Sequence, residues 1–209
     1  MKLYIFQVAP NPTRVRLFVA EKRVAGAEID LPEVSVNLAK GEHRSAEHLA
    51  RNPLGRLPVL ELDDGSFLTE SGAIVEYLEE RYPAASLLGE SIPERARNRE
   101  LDRQVDLGVL GSVARIIHAT KSPLGLPPVP EIAAAGYRAL PEGLGVVDAC
   151  LGDERRFLGG TRPMLADCTL QAALQFARFA ELDLELPERV ARWDRNYRER
   201  EAARSVLVV

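Results

Sequence analysis

The 209-residue chain has only two cysteines, three histidines, two methionines and one tryptophan. Cys150 and Cys168 are too far apart for a CxxC redox or metal pair, and one bridge would be a thin disulfide framework for a chain of this size. Both read as buried free thiols, which fits a reducing cytoplasm. No histidines stand in HExxH spacing, so the sequence offers no zinc site of its own. The opening "MKLYIF" breaks at Gln7 and turns at Pro10, and it reads as neither a signal peptide nor a membrane span. An excess of basic charge is also missing. A net charge of -4 and a pI near 5.6 give no chain-wide positive field to draw in nucleic acid or an anionic membrane. What the chain does have is 46% hydrophobic and 28% charged residues, enough to bury the core of one large or two small domains.

Residues 2–8 read as a short buried strand, followed by a helix in "NPTRVRLFVAEK". There Asn11 is the expected N-cap, Pro12 the first helical residue, and Val15, Leu17, Phe18 and Val19 the inward face. "AEIDLPEV" is a second strand, and a short helix starts after the N-cap Ser45, with Glu47 behind it. "LPVLEL", the turn "DDGS" and "FLTES" form a hairpin. "SGAIVEYLEERYP" spaces Ala73, Ile74, Tyr77 and Leu78 at helical period and stops before Pro83. The sum is βαβ followed by ββα, a small mixed sheet with helices on its faces.

Beyond Tyr82 the composition turns helical. "PAASLLGESIP" is turn-rich, "PERARNRELDRQVDLGVLGSVARIIHAT" reads as one long amphipathic helix, and "SPLGLPPVP" as a proline-rich connection. Further helices are expected near residues 130–150, 165–181 and 187–203. The resulting division is an α/β domain at 1–81, a linker at 82–91 and an all-helical domain at 92–209.

Two segments, "VNLAKGEHRSAEHLARNPLGRLPVLELDDGSFLTESGAIVEYLEERYP" and "RPMLADCTLQAAL", resemble the glutathione S-transferase superfamily, and the similarity extends over nearly the whole chain. The variants nearest in pattern are bacterial and theta- or nu-like. The resemblance implies a thioredoxin-like first domain that binds glutathione as cosubstrate, an all-α second domain, a homodimer, and neither metal, nucleic acid nor membrane as partner. It likens "RLPVL" to the family's cis-proline segment. An X-Pro bond costs only about 0.5–1 kcal/mol to hold cis, and the main chain of Leu57 before Pro58 would pair with the cysteinyl unit as a strand pairs with a sheet edge. The same residues also make a good loop before a strand. Ser71 is matched to the γ-glutamyl carboxylate and Glu70 to the ammonium, at a helix start that favours anions. Capping by Thr69 or Ser71 is compatible with that. His43 and Arg56 are matched to the glycyl carboxylate. In "RPMLADCTLQAAL", Met164 replaces the usual hydroxyl three residues before Asp167, so that helix start should be weaker by about 0.5–2 kcal/mol. Trp193 reads as a packing residue.

A thiol of pKa about 8.5 needs roughly 2.7 kcal/mol of preferential thiolate stabilisation to reach about 6.5. A helix terminus supplies about 0.3–1 kcal/mol, while a hydrogen bond to a charged group supplies about 1.5–3 kcal/mol. The family usually places Tyr, Ser or Cys in this loop, yet here "APNPTR" offers Ala9, and Pro10 and Pro12 have no N–H. The resemblance aligns the tyrosine of tyrosine-type members with Ile5, and adjacent strand residues point to opposite faces, so Tyr4 reads as packing. Asn11 is the leading activating residue, because nu-like relatives carry Asn in a similar loop. Its amide has an acceptor for capping and donors for a thiolate. Thr13 is second, and Arg14 adds positive field. The expected activity is attack of the glutathione thiolate on a small, apolar electrophile or on a disulfide. The competing expectation is a non-catalytic glutathione-binding or scaffold protein that has lost its activating side chain. Leu107, Leu110, Val113 and Ile117 are apolar residues suited to line the second substrate, although periodicity does not separate such a wall from core.

Overall fold

A computed structural model describes residues 1–208. Four short strands, β1 (Lys2–Ile5), β2 (Glu33–Ser35), β3 (Val59–Glu61) and β4 (Phe67–Thr69), form one sheet in the order β2-β1-β3-β4. β1 pairs parallel with β2, whereas β1–β3 and β3–β4 are antiparallel. The parallel pair needs a crossover, which is helix α1 (Pro10–Val24); the expected hairpin joins β3 to β4. In its turn Asp64 accepts the Ser66 N–H and hydroxyl. α2 (Ala46–Arg51) is capped by Ser45, whose Oγ accepts the His48 N–H, and α3 (Ser71–Arg81) follows β4. This is the expected thioredoxin-like order, and the rest of the described chain is helical: α4 (Ile92–Val105), α5 (Gly111–Thr120), α6 (Pro130–Cys150), α7 (Leu165–Phe179), α8 (Glu188–Arg198) and α9 (Glu201–Val206).

Several boundaries differ from the sequence reading, each for a local reason. β1 ends at Ile5 because the chain turns at once, with Ala9 N–H bonded to Phe6 C=O at 3.0 Å. The N-cap of α1 is Ala9, extended at φ -70°, and Pro10 rather than Pro12 is the first helical residue. Proline suits that position because its missing N–H would find no partner there anyway. Asn11 therefore lies inside the first turn. The long helix at 93–120 is three pieces, with a π-helical turn at Asp106–Leu110 between α4 and α5. At that turn Gly108 meets Gly143 of α6 backbone to backbone; a Cβ on Gly143 would lie 2.5 Å from the Gly108 carbonyl carbon. The helix expected at 187–203 is broken into α8 and α9.

α1 lies against α3 on one side and α7 and α9 on another, so it is buried almost along its whole length. Charged residues are enclosed with its apolar ones, and each has a partner. Arg14 reaches Asp102 of α4 at 2.6 Å, Arg16 reaches Glu33 of β2 at 2.8 Å, Lys22 reaches Glu79 of α3 at 2.8 Å, and Arg200 reaches Glu21 at 2.6 Å. The Lys22 ammonium also donates to the carbonyls of Tyr82, Ala84 and Ala85. Burial raises the pKa of Asp102, opposed by Arg14 and by the Thr169 hydroxyl.

Asp167 gathers the donors at the start of α7, as expected, while Met164 stands at the N-cap without a hydroxyl. Its fully enclosed carboxylate accepts N–H groups from Met164 (2.8 Å), Leu158 (2.9 Å) and Gly159 (3.4 Å), and the indole N–H of Trp193 (2.7 Å). Trp193 thus does more than pack: it ties α8 to the start of α7 while stacking on Tyr197 at 5.2 Å. Burial pushes Asp167 up to about 6, against the pull of these donors. A folded-state value above the unfolded one means that this group's contribution is full below about pH 4 and is lost as the pH rises through about 6. In urea titrations Asp167→Ala should cost about 3 kcal/mol or more by stranding its donors. Asp167→Asn should lose less, relative to wild type, at pH 7 than at pH 4, by about 3 kcal/mol. A difference independent of pH would refute the assignment.

Candidate functional site

Three chain turns converge where the carboxyl end of β1 meets the start of α3. The first is Ala9–Pro10–Asn11 at the entry to α1. The second is Glu70–Ser71 at the entry to α3, where Glu70 takes φ +68°, a left-handed conformation that a residue bearing a Cβ adopts only when its surroundings impose it. The third is Leu57–Pro58, whose peptide bond is cis. Ser71 Oγ donates to Asn11 Oδ1 at 3.1 Å and accepts from Arg14 Nη1 at 3.4 Å, so a short polar chain links the two helix starts. Asn11 is half-buried, and its oxygen is taken by Ser71 rather than by a helix-start N–H. The Glu70 side chain is exposed beside it.

The remaining residues named from the sequence fall into different environments. Thr13 is 1% exposed, and its hydroxyl donates back to Ala9 C=O at 2.9 Å, which leaves it no proton to offer a ligand. Arg14 is enclosed and matched by Asp102, with Asp106 at 3.5 Å. The Tyr4 hydroxyl donates to Glu61 at 2.6 Å, and its ring lies under the Arg51 guanidinium, so it packs away from the cleft as expected. His43 lies in the 3₁₀ turn Glu42–Arg44 with its Nδ1 buried and without a partner. Burial first, then the neighbouring Arg44 and His48, lower its pKa. The Arg56 side chain is exposed, while its carbonyl is held from α2.

Next to Ala9 and Pro10 opens an apolar cavity of about 160 Å³. Val8 and Leu38 line it from the sheet side, and His118, Leu124, Phe176 and Phe179 from the helical side. The wall suggested by periodicity is displaced. Leu110, Val113 and Ile117 are core residues, and Leu107 points outward at 52% exposure. The cavity is instead served by His118 in the last turn of α5, which sequence reasoning passed over. The only signal was a lone histidine at the end of the apolar run "SVARII". Its Nδ1 lies 3.1 Å from Ser122 Oγ and its ring 5.7 Å from that of Phe176. Burial lowers its pKa, which favours the neutral ring. It is the one titratable side chain on the cavity wall.

Residues 1–80 match the glutathione S-transferase N-terminal domain family, and residues 130–197 match the C-terminal domain family. The chain is 31% identical over 219 residues to glutathione S-transferase 2 of Saccharomyces cerevisiae, spanning 100% of this chain and 90% of that one. It is 34% identical over 201 residues to a maleylacetoacetate isomerase of Pseudomonas aeruginosa, spanning 92% and 88%. A crystal structure of a glutathione S-transferase from Methylobacillus flagellatus, with glutathione bound, superposes with a TM-score of 0.83 at 27% identity, over 100% of this chain and 99% of that one. Likeness at this level over the full length, together with the sheet order and the helical second half, means that the chain belongs to the glutathione S-transferase family.

Proposed function

We propose that this protein is a glutathione-dependent enzyme that joins the thiol sulfur of bound glutathione to a small, uncharged electrophile. In this reading the cysteinyl main chain pairs with Leu57. The γ-glutamyl carboxylate meets Ser71 and the start of α3, and Glu70 meets the ammonium. His43 and Arg56 face the glycyl end. The sulfur then reaches the rim formed by Ala9 and Pro10, where the apolar cavity opens. The reading extends to a homodimer in a reducing cytoplasm. Favouring these are edge strand β4, with Phe67 40% exposed, and two free cysteines.

The observation that carries the mechanism is the position of His118 on the wall that Ala9 leaves without a hydroxyl. With its proton on Nδ1 and donated to Ser122, the neutral ring offers the Nε2 lone pair as a base. As the S–C bond forms, the thiol proton passes to Nε2; in an addition the electrophile's C=C pair shifts away from the attacked carbon and takes that proton back, and in a substitution the leaving group departs with its bonding pair and the proton goes to solvent. Asn11 keeps a supporting role, since its Oδ1 holds Ser71 and its Nδ2 remains a donor near the γ-glutamyl end. The other reading, a non-catalytic binder, draws only on Ala9.

Calorimetry should show glutathione binding at millimolar concentration or below; no heat would remove the proposal. His118→Ala should then lower kcat by about 10²–10⁴ with little change in KM for glutathione, whereas Asn11→Ala should act chiefly on KM. Unchanged kcat in His118→Ala would transfer the base role elsewhere, and wild type that binds but never turns over would establish the binder. Because burial lowers the His118 pKa, wild-type kcat should fall off only at pH values below the ordinary histidine range. A kcat that already declines above pH 7 on acidification would contradict a neutral His118.

Several relatives are isomerases of a carboxylate substrate by name, but no Arg or Lys lines the cavity here. An uncompensated carboxylate in such a place costs several kcal/mol. A neutral single-ring electrophile should therefore be turned over about 100-fold or more faster than its carboxylated analogue, and equal rates would overturn the charge argument.

A further inference from the structure

The peptide unit in front of Pro58 is gripped from an unexpected side. Two side chains of the α2 segment converge on one carbonyl: His48 Nε2 lies 3.2 Å from Arg56 C=O, and Asn52 Nδ2 donates to the same oxygen at 3.0 Å. Both residues are enclosed, at 1% and 3% exposure. A carbonyl only accepts, so the His48 proton must sit on Nε2. Its Nδ1 is buried and without a partner. The segment is locked on its other sides as well. Asn52 Oδ1 takes the Leu54 N–H at 3.0 Å, and Asn52 C=O takes the Gly55 N–H at 2.8 Å. At Gly55, with φ +60°, a Cβ would stand 2.8 Å from the His43 carbonyl oxygen.

The geometry points to His48, together with Asn52, as a positioning residue that aims the Leu57 N–H into the glutathione cleft. The reason lies in the planarity of the Arg56–Leu57 peptide. That bond is trans, and in a planar trans unit the C=O and the N–H that follows point in opposite directions. Two donors occupying both lone pairs of the Arg56 carbonyl fix the plane, and so fix the direction of the Leu57 N–H without touching it. No protein group bonds to that N–H among the described residues, which leaves it available to a ligand main chain. His48 never meets the ligand; it acts through one peptide plane. This inference deepens the function proposed above and rests on it for the identity of the ligand.

The test pairs His48→Phe, which keeps a flat ring and loses the donor, with His48→Gln, which keeps an N–H at similar reach. His48→Met is a second donor-free variant in case the phenylalanine protein does not fold. The Leu57 amide is followed first by ¹⁵N–¹H correlation spectroscopy without glutathione, and glutathione affinity is then measured by calorimetry. Losing the donor should shift the Leu57 amide signal, weaken glutathione binding by about 3- to 10-fold and leave kcat at saturating glutathione within about twofold. His48→Gln should recover most of the affinity. A role confined to stability would lower the melting temperature of the donor-free variants while Leu57 and the affinity stayed at wild-type values, and that result would overturn the inference. Equal weakening in His48→Gln and His48→Phe would overturn it too. If wild type bound no glutathione, the proposed function and the ligand named here would fall together. The unliganded Leu57 signal would still report separately on whether His48 sets the peptide plane.

Discussion

The arrangement rests on the enclosure of α1. A helix covered by α3, α7 and α9 cannot turn its enclosed charges to water, so each of these must meet an opposite charge or an array of carbonyls. Those partners come from β2, α3, α4 and the residue before α9. Each pair is weak grounds for added stability, because desolvation offsets most of the attraction. Their combined effect is on position: Arg14, Arg16, Glu21 and Lys22 admit few alternative seatings of α1 in its surroundings. The entry turn of that helix carries Ala9, Pro10 and Asn11, so the same constraint places the candidate site.

Much of the first half of the chain was legible because its signals are local. The "DDGS" turn, the Ser45 cap, the proline before β3 and the helix beginning at Ser71 each depend on residues within a few positions of one another. What escaped depends on contacts across the chain. Four of the five charges on α1 look like a solvated face until the neighbouring elements enclose them. The break between α4 and α5 arises where Gly108 abuts Gly143, 35 positions away in sequence, and nothing in "DLGVLGS" announces it. Trp193 looked like packing because its partner, Asp167, lies on another helix.

The site divides along the same line. Leu57, Ser71 and Glu70 stand at turns the sequence marks, and the structure brings Ser71 and Asn11 into contact. Thr13 was plausible by its hydroxyl, yet a hydroxyl in the first turn of a helix readily bonds back to a carbonyl four residues earlier, and it does so here. His118 could not be singled out, since a histidine at the end of an apolar helix has no local mark to separate a cavity wall from core. Only the approach of α5 and α7 to the Ala9 turn gives it a distinctive place.

Lys22 lies beneath the connection between the two halves. Its ammonium sits among the carbonyls of Tyr82, Ala84 and Ala85 and against Glu79, in the stretch where the sheet-bearing half passes into the helical half. Those bonds tie the start of the connecting segment to α1. The first half, cut away on its own, would also leave Arg14 and Glu21 facing water without counterions. Cutting the chain between its halves therefore separates α1 from Asp102 and Arg200, and engineering of this architecture must replace those two counterions.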